Sequence, residues 1–193
     1  FPRFGIMHNK FFVMDANSSD PNQPIVWTGA TNLSTSQVFT DPNDVIIFQD
    51  QSLARAYTVE FNEMWGGPLP SSPASAGRFG PDKRDNTPQE FRLGPNNTRV
   101  QLFMSPTSNT NQAIIEALNT ADENLRFGLL LMTRDEMAQA IAARAAAGVQ
   151  VYGIVNDTSN TSAFSTWEIM DEELADDELL FHDPSDIFHH KYA

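Results

Sequence analysis

Two places in this chain set a histidine and a lysine two residues apart: His8 and Lys10 in "MHNKFFVMD", and His189 and Lys191 in "FHHKYA". A neutral imidazole beside an ammonium suits an anionic, phosphate-like substrate. The lysine neutralises phosphate oxygens, and the imidazole serves as nucleophile or proton carrier near neutral pH. Phosphoryl transfer depends mainly on positioning and charge stabilisation, so a few rigidly held groups suffice. Side chains alternate along a strand, so a strand over residues 6–14 would place His8, Lys10 and Phe12 on one face. Asp15 then has the opposite parity and falls where the strand gives way to a turn, so it is expected to support the site from behind. The spacing is His-x-Lys-x4-Asp, followed by "TGATNLS" at residues 28 to 34. There Gly29 lets the backbone approach closely and Asn32 offers an amide donor for a phosphate oxygen. His190 alternates with His189 and Lys191 and is expected to face away from them.

Composition narrows the chemistry further. The chain has 193 residues, no cysteine and a formal net charge of −13. Disulfides and thiolate metal sites are therefore excluded, and the compartment stays open. Proteins that grip nucleic acid through its phosphates are usually basic, so any phosphate-binding charge here must be confined to a local pocket. Six acids in the eight positions of "DEELADDE", residues 171 to 178, read as a solvated helix face or loop. His182, Asp183, Asp186, His189 and His190 cluster in sequence, but the spacing matches no closed zinc pattern and hard ions favour more carboxylates. No metal and no cofactor is expected. Trp27 and Trp65 read as core packing, and Lys83 and Arg84 of "GPDKRD" as solvent-exposed. No apolar run reaches the roughly 18–20 residues that span a membrane. The opening "FPRFGIMH" shows no signal-peptide pattern.

The elements that must position these residues fall into two blocks and a connection. Residues 1–65 read as strands, "IMHNKFFVM", "PIVWTG" and "DVIIF", followed by a helix over "SLARAYTVEFNEMW" that Gly66 stops. Residues 66–98 hold six of the twelve prolines and five of the ten glycines, which predicts an extended linker. Residues 99–193 alternate strand and helix: "VQLFM", "NTNQAIIEALNTAD", "LRFGLLLM", "TRDEMAQAIAARAAAG", "VQVYGIV" and the start of a strand in "DIFHHKYA". A capping box from Thr133 to Glu136 is expected to open the second of those helices. Such alternation predicts an α/β fold with a mixed, largely parallel sheet.

"MHNKFFVMD", "WTGATNLS", "NDVIIF" and "EFNEMW", in that order, resemble the phospholipase D, or HKD, superfamily. "LFMSPTSN", "ALNTADENLRFGLLLMTRDEMAQAI" and "AAGVQVYGIVND" are similar to the start of that family's second lobe, leading to its second motif at "HHKYA". The resemblance implies α/β/α sandwich lobes packed about a pseudo-twofold axis, each giving one motif to a single metal-independent site. It implies that one of His8 and His189 attacks phosphorus to form a phosphohistidine. The other protonates the leaving alcohol and then activates water or an acceptor alcohol. His8, in the complete motif, is the choice for nucleophile. Lys10 and Lys191 would bind phosphate, Asn32 would assist them, and Asp44 would orient a motif histidine. The implied substrate is a phosphodiester: a phospholipid, with transient contact at a membrane surface, or alternatively DNA or RNA. A non-catalytic domain keeping the fold is a third possibility, against which the complete His8, Lys10, Asp15 and Asn32 set argues.

The chain departs from the family pattern at Ala30, where a serine is usual, and the second motif stops at Ala193 before its aspartate. The expectation is an internal segment: the C-terminal half of one lobe, a linker, and the N-terminal half of the next. Such a segment is expected to be inactive by itself and to need its flanking halves or a second copy. It could fold as two incomplete halves or as one circularly permuted lobe. The permuted lobe requires strand 6–14 and strand 149–155 to share a sheet.

Overall fold

The apolar residues after Lys10 form a strand as soon as they find a partner, and the ladder sets its limits. β1 (Phe11–Met14) pairs antiparallel with β2 (Ile25–Gly29), the last pair being Phe11 with Thr28. Residues 6–10 therefore precede the strand instead of opening it. The computed structural model describes residues 6–70, 73–156, 166–182 and 185–193. Asp183 of the acidic and histidine-bearing stretch lies outside them.

The chain divides into two compact units, Phe1–Thr28 with Ile46–Thr110, and Gly29–Val45 with Asn111–Ala193. In the first, β1, β2 and β3 (Val45–Gln49) form a three-stranded sheet in that order. α1 (Thr35–Phe39), between β2 and β3 in the chain, belongs to the second unit, and the 15-residue α2 (Gln51–Trp65) follows β3 in the first. Asp50 caps α2 by accepting the Leu53 backbone N–H at 2.9 Å. Gly66, at φ 106°, ends the helix in the left-handed conformation that a glycine adopts without strain. Leu53, Ala54, Ala56 and Tyr57 of α2 bury one face against Val26 of β2.

The proline- and glycine-rich stretch is not a featureless linker. It contains two 3-10 turns and β4 (Glu90–Leu93), which pairs antiparallel with β5 (Thr98–Gln101). Phe91, Leu102 and Met104 from this region join the Val26–Leu53 core. "VQLFM" thus closes a hairpin in the first unit and does not open the second, because its apolar residues are buried there.

The second unit carries a four-stranded sheet in the order β8-β7-β6-β9. β6 (Asn124–Leu129) and β7 (Gln150–Val155) run parallel, as do β7 and β8 (Leu179–Phe181), and β9 (Lys191–Tyr192) is antiparallel to β6. α3 (Thr110–Leu118) leads into β6, α4 (Asp135–Ala146) connects β6 to β7, and α5 (Trp167–Asp171) lies between β7 and β8. Leu125, Phe127, Val151, Ile141, Ala138 and Met170 are buried between strands and helices. The N-cap of α4 is Arg134, with no side-chain cap bond, so the Thr133 box does not form; Gly148 at φ 90° follows the helix as expected.

The fold is mixed α/β with a largely parallel sheet in the second unit. β1 and β7 belong to different sheets, so the circularly permuted lobe does not form. Among the described residues no helix is long and apolar enough to cross a membrane.

Candidate functional site

The first His-x-Lys lies on the segment that leads into β1. His8 is exposed, while Asn9 and Lys10 are half-buried. Lys10 Nζ donates to the His8 backbone carbonyl at 2.9 Å and lies 3.3 Å from His8 Nδ1. An ammonium has donors only, so it faces a lone pair on Nδ1, and the neutral ring then carries its proton on Nε2. Partial burial pushes the Lys10 ammonium below its ordinary value. The Thr28 hydroxyl donates to the Lys10 carbonyl at 3.1 Å and fixes the backbone where the ladder begins.

Asn9, between the two, turns inward. Its amide donates to Glu60 Oε1 at 3.3 Å, and that same oxygen pairs with Lys83 Nζ at 2.6 Å. The Glu60 and Lys83 side chains are 1% and 3% exposed, and Lys83 also donates to the Ser105 carbonyl at 2.8 Å. Lys83, expected in solvent, is thus a core cation. A buried carboxylate on α2 demands a counter-charge, and Lys83 supplies it. Arg84 stays exposed, as expected. Sequence reading missed Glu60 and Asn9. The available signal was an acid at position 60 on the helix face shared by Leu53, Ala56 and Tyr57.

The second His-x-Lys repeats the local geometry on the edge of the other sheet. Lys191 Nζ donates to the His189 carbonyl at 3.0 Å and lies 3.2 and 3.3 Å from the two ring nitrogens. It therefore lies nearly equidistant from the two ring nitrogens. His189 is buried, 6% exposed, and its backbone N–H donates to the Pro42 carbonyl at 2.7 Å. Gly128 makes room for this edge, since a Cβ there would lie 2.8 Å from Tyr192 Cζ.

Asp44 does hold a histidine of the second motif, but the ring is His190. Asp44 Oδ1 accepts from His190 Nδ1 at 3.1 Å and from the Lys191 backbone N–H at 3.3 Å. His190 does alternate away from its neighbours, and that is the side on which the Asp44 carboxylate sits. The two consecutive histidines made parity ambiguous in sequence.

The loop after β2 is built tightly around the Asp44 backbone. The Asp44 carbonyl accepts from Ala30 N at 3.0 Å and from the Thr31 hydroxyl at 3.2 Å. A Cβ on Gly29 would lie 2.4 Å from that carbonyl oxygen, so the close approach foreseen for this glycine is real. Thr31 also bonds Asn43, whose amide donates to the carbonyls of Gln37 and Asp41, each at 2.6 Å. Asn32 projects from this stapled loop into solvent, without a hydrogen-bond partner among the described residues. An exposed amide on a rigid loop is free to donate to a ligand.

Asp15 is exposed at φ 54° in the turn after β1, where its carbonyl accepts Ser18 N at 2.8 Å. Among the described residues no hydrogen bond joins its carboxylate to His8 or Lys10. His182 pairs with Asp186, and among the described residues no three His, Asp or Glu side chains converge as for a metal ion. Trp27 packs on Phe12 at 5.2 Å, whereas Trp65, expected in the core, is 47% exposed and stacks on Phe61.

A cavity of about 380 Å³ opens beside His8, lined by Met7, Met64, Phe79, Pro81 and Pro106 together with Asn9 and Lys83. A neighbouring hollow of about 220 Å³ shares Met7, Met64 and Phe79 and adds Phe61 and Trp65. Compared with models of known protein families the chain matches none, and it matches none of the curated proteins it was compared with.

Proposed function

We propose that this chain belongs to a phosphodiesterase of the phospholipase D type, built from α/β/α sandwich lobes, in which His8 with Lys10 and His189 with Lys191 handle the phosphate. The observation that carries the reading is the repetition of one local geometry. In each motif the lysine ammonium turns back onto its own histidine, within 3.3 Å of the ring and 3.0 Å of the carbonyl. A resting ammonium parked on an imidazole is ready to exchange that neighbour for an anionic oxygen, freeing a ring nitrogen as it moves.

In the proposed reaction a freed nitrogen of His8 attacks phosphorus and the P–O bond to the leaving alcohol breaks. The alcohol takes a proton from a second imidazole, the role assigned to His189. Water, giving its proton back to that imidazole, then attacks the phosphohistidine and restores His8. Lys10 and Lys191 balance the charge on the non-bridging oxygens, Asn32 adds an amide donor, and Gly29 and Asp44 hold the loop and motif in place. Asp15 supports the turn behind them.

The apolar walls beside His8 and the net charge of −13 favour a phospholipid over nucleic acid. A polynucleotide would meet few cations there, whereas an acyl or glyceryl group would cover Met7, Met64 and Phe79. The test compares phosphatidylcholine vesicles, cardiolipin vesicles and single-stranded DNA as substrates, with excess EDTA present, using the protein in its natural sequence context. Lipid turnover indifferent to EDTA and lost in His8→Ala is expected. Turnover of DNA alone would move the assignment to the endonuclease branch, and no turnover of any phosphodiester would favour a binding domain.

A further inference from the structure

We propose that Glu60 is a positioning residue for the His8–Lys10 pair, acting through Asn9 and kept charge-neutral by Lys83; this rests on the phosphate-binding reading of that pair. Residues 8–10 lie outside the β1–β2 ladder, whose last pair is Phe11 with Thr28. Their orientation must therefore come from elsewhere. Thr28 ties the Lys10 carbonyl, and Glu60 ties the Asn9 side chain. The Asn9 side chain is thereby tied to α2 at one point of the segment, and the Lys10 carbonyl is fixed at the next residue. His8 and Lys10 then meet each other and open solvent.

The charge arrangement fits a support and not a substrate site. Lys83 and Glu60 are each almost wholly buried and paired at 2.6 Å, and Lys83 donates a second hydrogen bond to the Ser105 carbonyl. Their product is a neutral, rigid anchor on the middle of α2, from which one carboxylate oxygen reaches Asn9.

The second motif has the same plan from different residues. There the middle residue, His190, is gripped by Asp44, again with the flanking histidine and lysine turned onto each other. In both places a carboxylate holds the middle residue, and neither carboxylate touches the lysine ammonium beside it through a described ion pair.

The experiment measures inorganic phosphate binding by calorimetry to the protein and its variants, with thermal unfolding in parallel. Asn9→Leu keeps the size and leaves the Glu60–Lys83 pair intact, so the fold should survive. Asn9→Asp sets a carboxylate against Glu60. Each should weaken phosphate binding about tenfold to a hundredfold, the cost of a small misplacement of binding groups. Asn9→His, which restores a donor as His190 does in the second motif, should recover most of the loss. Lys10→Met should cost much less in the Asn9→Leu background than alone, because the lysine is no longer aimed. A purely structural role for Asn9 would leave those two changes additive. Asn9 variants that bind phosphate like the parent, while His8→Ala does not, would overturn the positioning role and leave the phosphate site standing. Undiminished phosphate binding by His8→Ala would overturn both.

Discussion

The two His-x-Lys pairs look alike in sequence and in lysine geometry, yet they rest on different foundations. His8 is exposed and its segment is held by a buried ion pair, Glu60–Lys83, one residue removed from the pair itself. His189 is buried, and its segment is held by a sheet edge, by Pro42 and by Asp44, whose pairing with His190 is about a quarter exposed on either side. A short motif therefore specifies what a site could do, and the surrounding unit decides how firmly it is held. An ion pair removed from water is costly to break from one side, whereas a partly solvated carboxylate–imidazole pair is not.

Four substitutions and one titration bear on that contrast. Lys83→Met would leave the Glu60 carboxylate buried without a cation and should destabilise the first unit by about 3–5 kcal/mol, read from urea unfolding. A loss within experimental error would mean that the pair is not buried in solution. Lys10→Met removes a charge-assisted donor and should weaken inorganic phosphate binding by about 1.5–3 kcal/mol, with stability little changed. Gly29→Ala drives a methyl into the Asp44 carbonyl and should cost about 1–3 kcal/mol, since backbone must shift to admit it. Asp44→Asn should cost only about 0.5–1 kcal/mol, and equality with Lys83→Met would erase the difference between the two supports.

The smallest effect is a displacement in pH. Burial lowers the Lys10 ammonium, so the folded protein gives up that proton before an ordinary lysine would. Phosphate affinity should therefore begin to fall below the pH at which a free lysine deprotonates. Over that window the unfolded chain holds the extra proton, so Lys10 makes stability rise with pH. Phosphate titrations across the alkaline range, with Lys10→Met as control, check the shift.

Much of the architecture was legible because it is local. The helical spacing of Leu53, Tyr57 and Phe61 gave α2, and Gly66 and Gly148 marked helix ends at positive φ. The strand–helix alternation after residue 123 gave the parallel β6–β7 pair, whereas α5 and β8, flanking the acidic stretch, carried no readable signal. What escaped depends on partners distant in sequence. β1 starts only at Phe11 because its ladder with β2 ends at the Phe11–Thr28 pair, a limit invisible in "IMHNKFFVM". "VQLFM" looks like the start of a new block in sequence, but Leu102 and Met104 are buried with Phe91 and Val26. Lys83 sits among prolines and glycines that advertise a surface loop, and only Glu60, twenty-three positions earlier, explains its burial. At the candidate site the two histidine–lysine pairs, Gly29 and Asp44 were readable from spacing and resemblance. Which histidine Asp44 would grip was not, because consecutive histidines offer one ring to each side.

The central claim is a histidine nucleophile working without a metal, and release of nitrophenol from bis(4-nitrophenyl) phosphate tests it most directly. The protein, in its natural sequence context, and its His8→Ala variant are compared with and without excess EDTA. Turnover that EDTA leaves unchanged and that His8→Ala abolishes is expected. Turnover that EDTA removes, or that persists in His8→Ala, would contradict it.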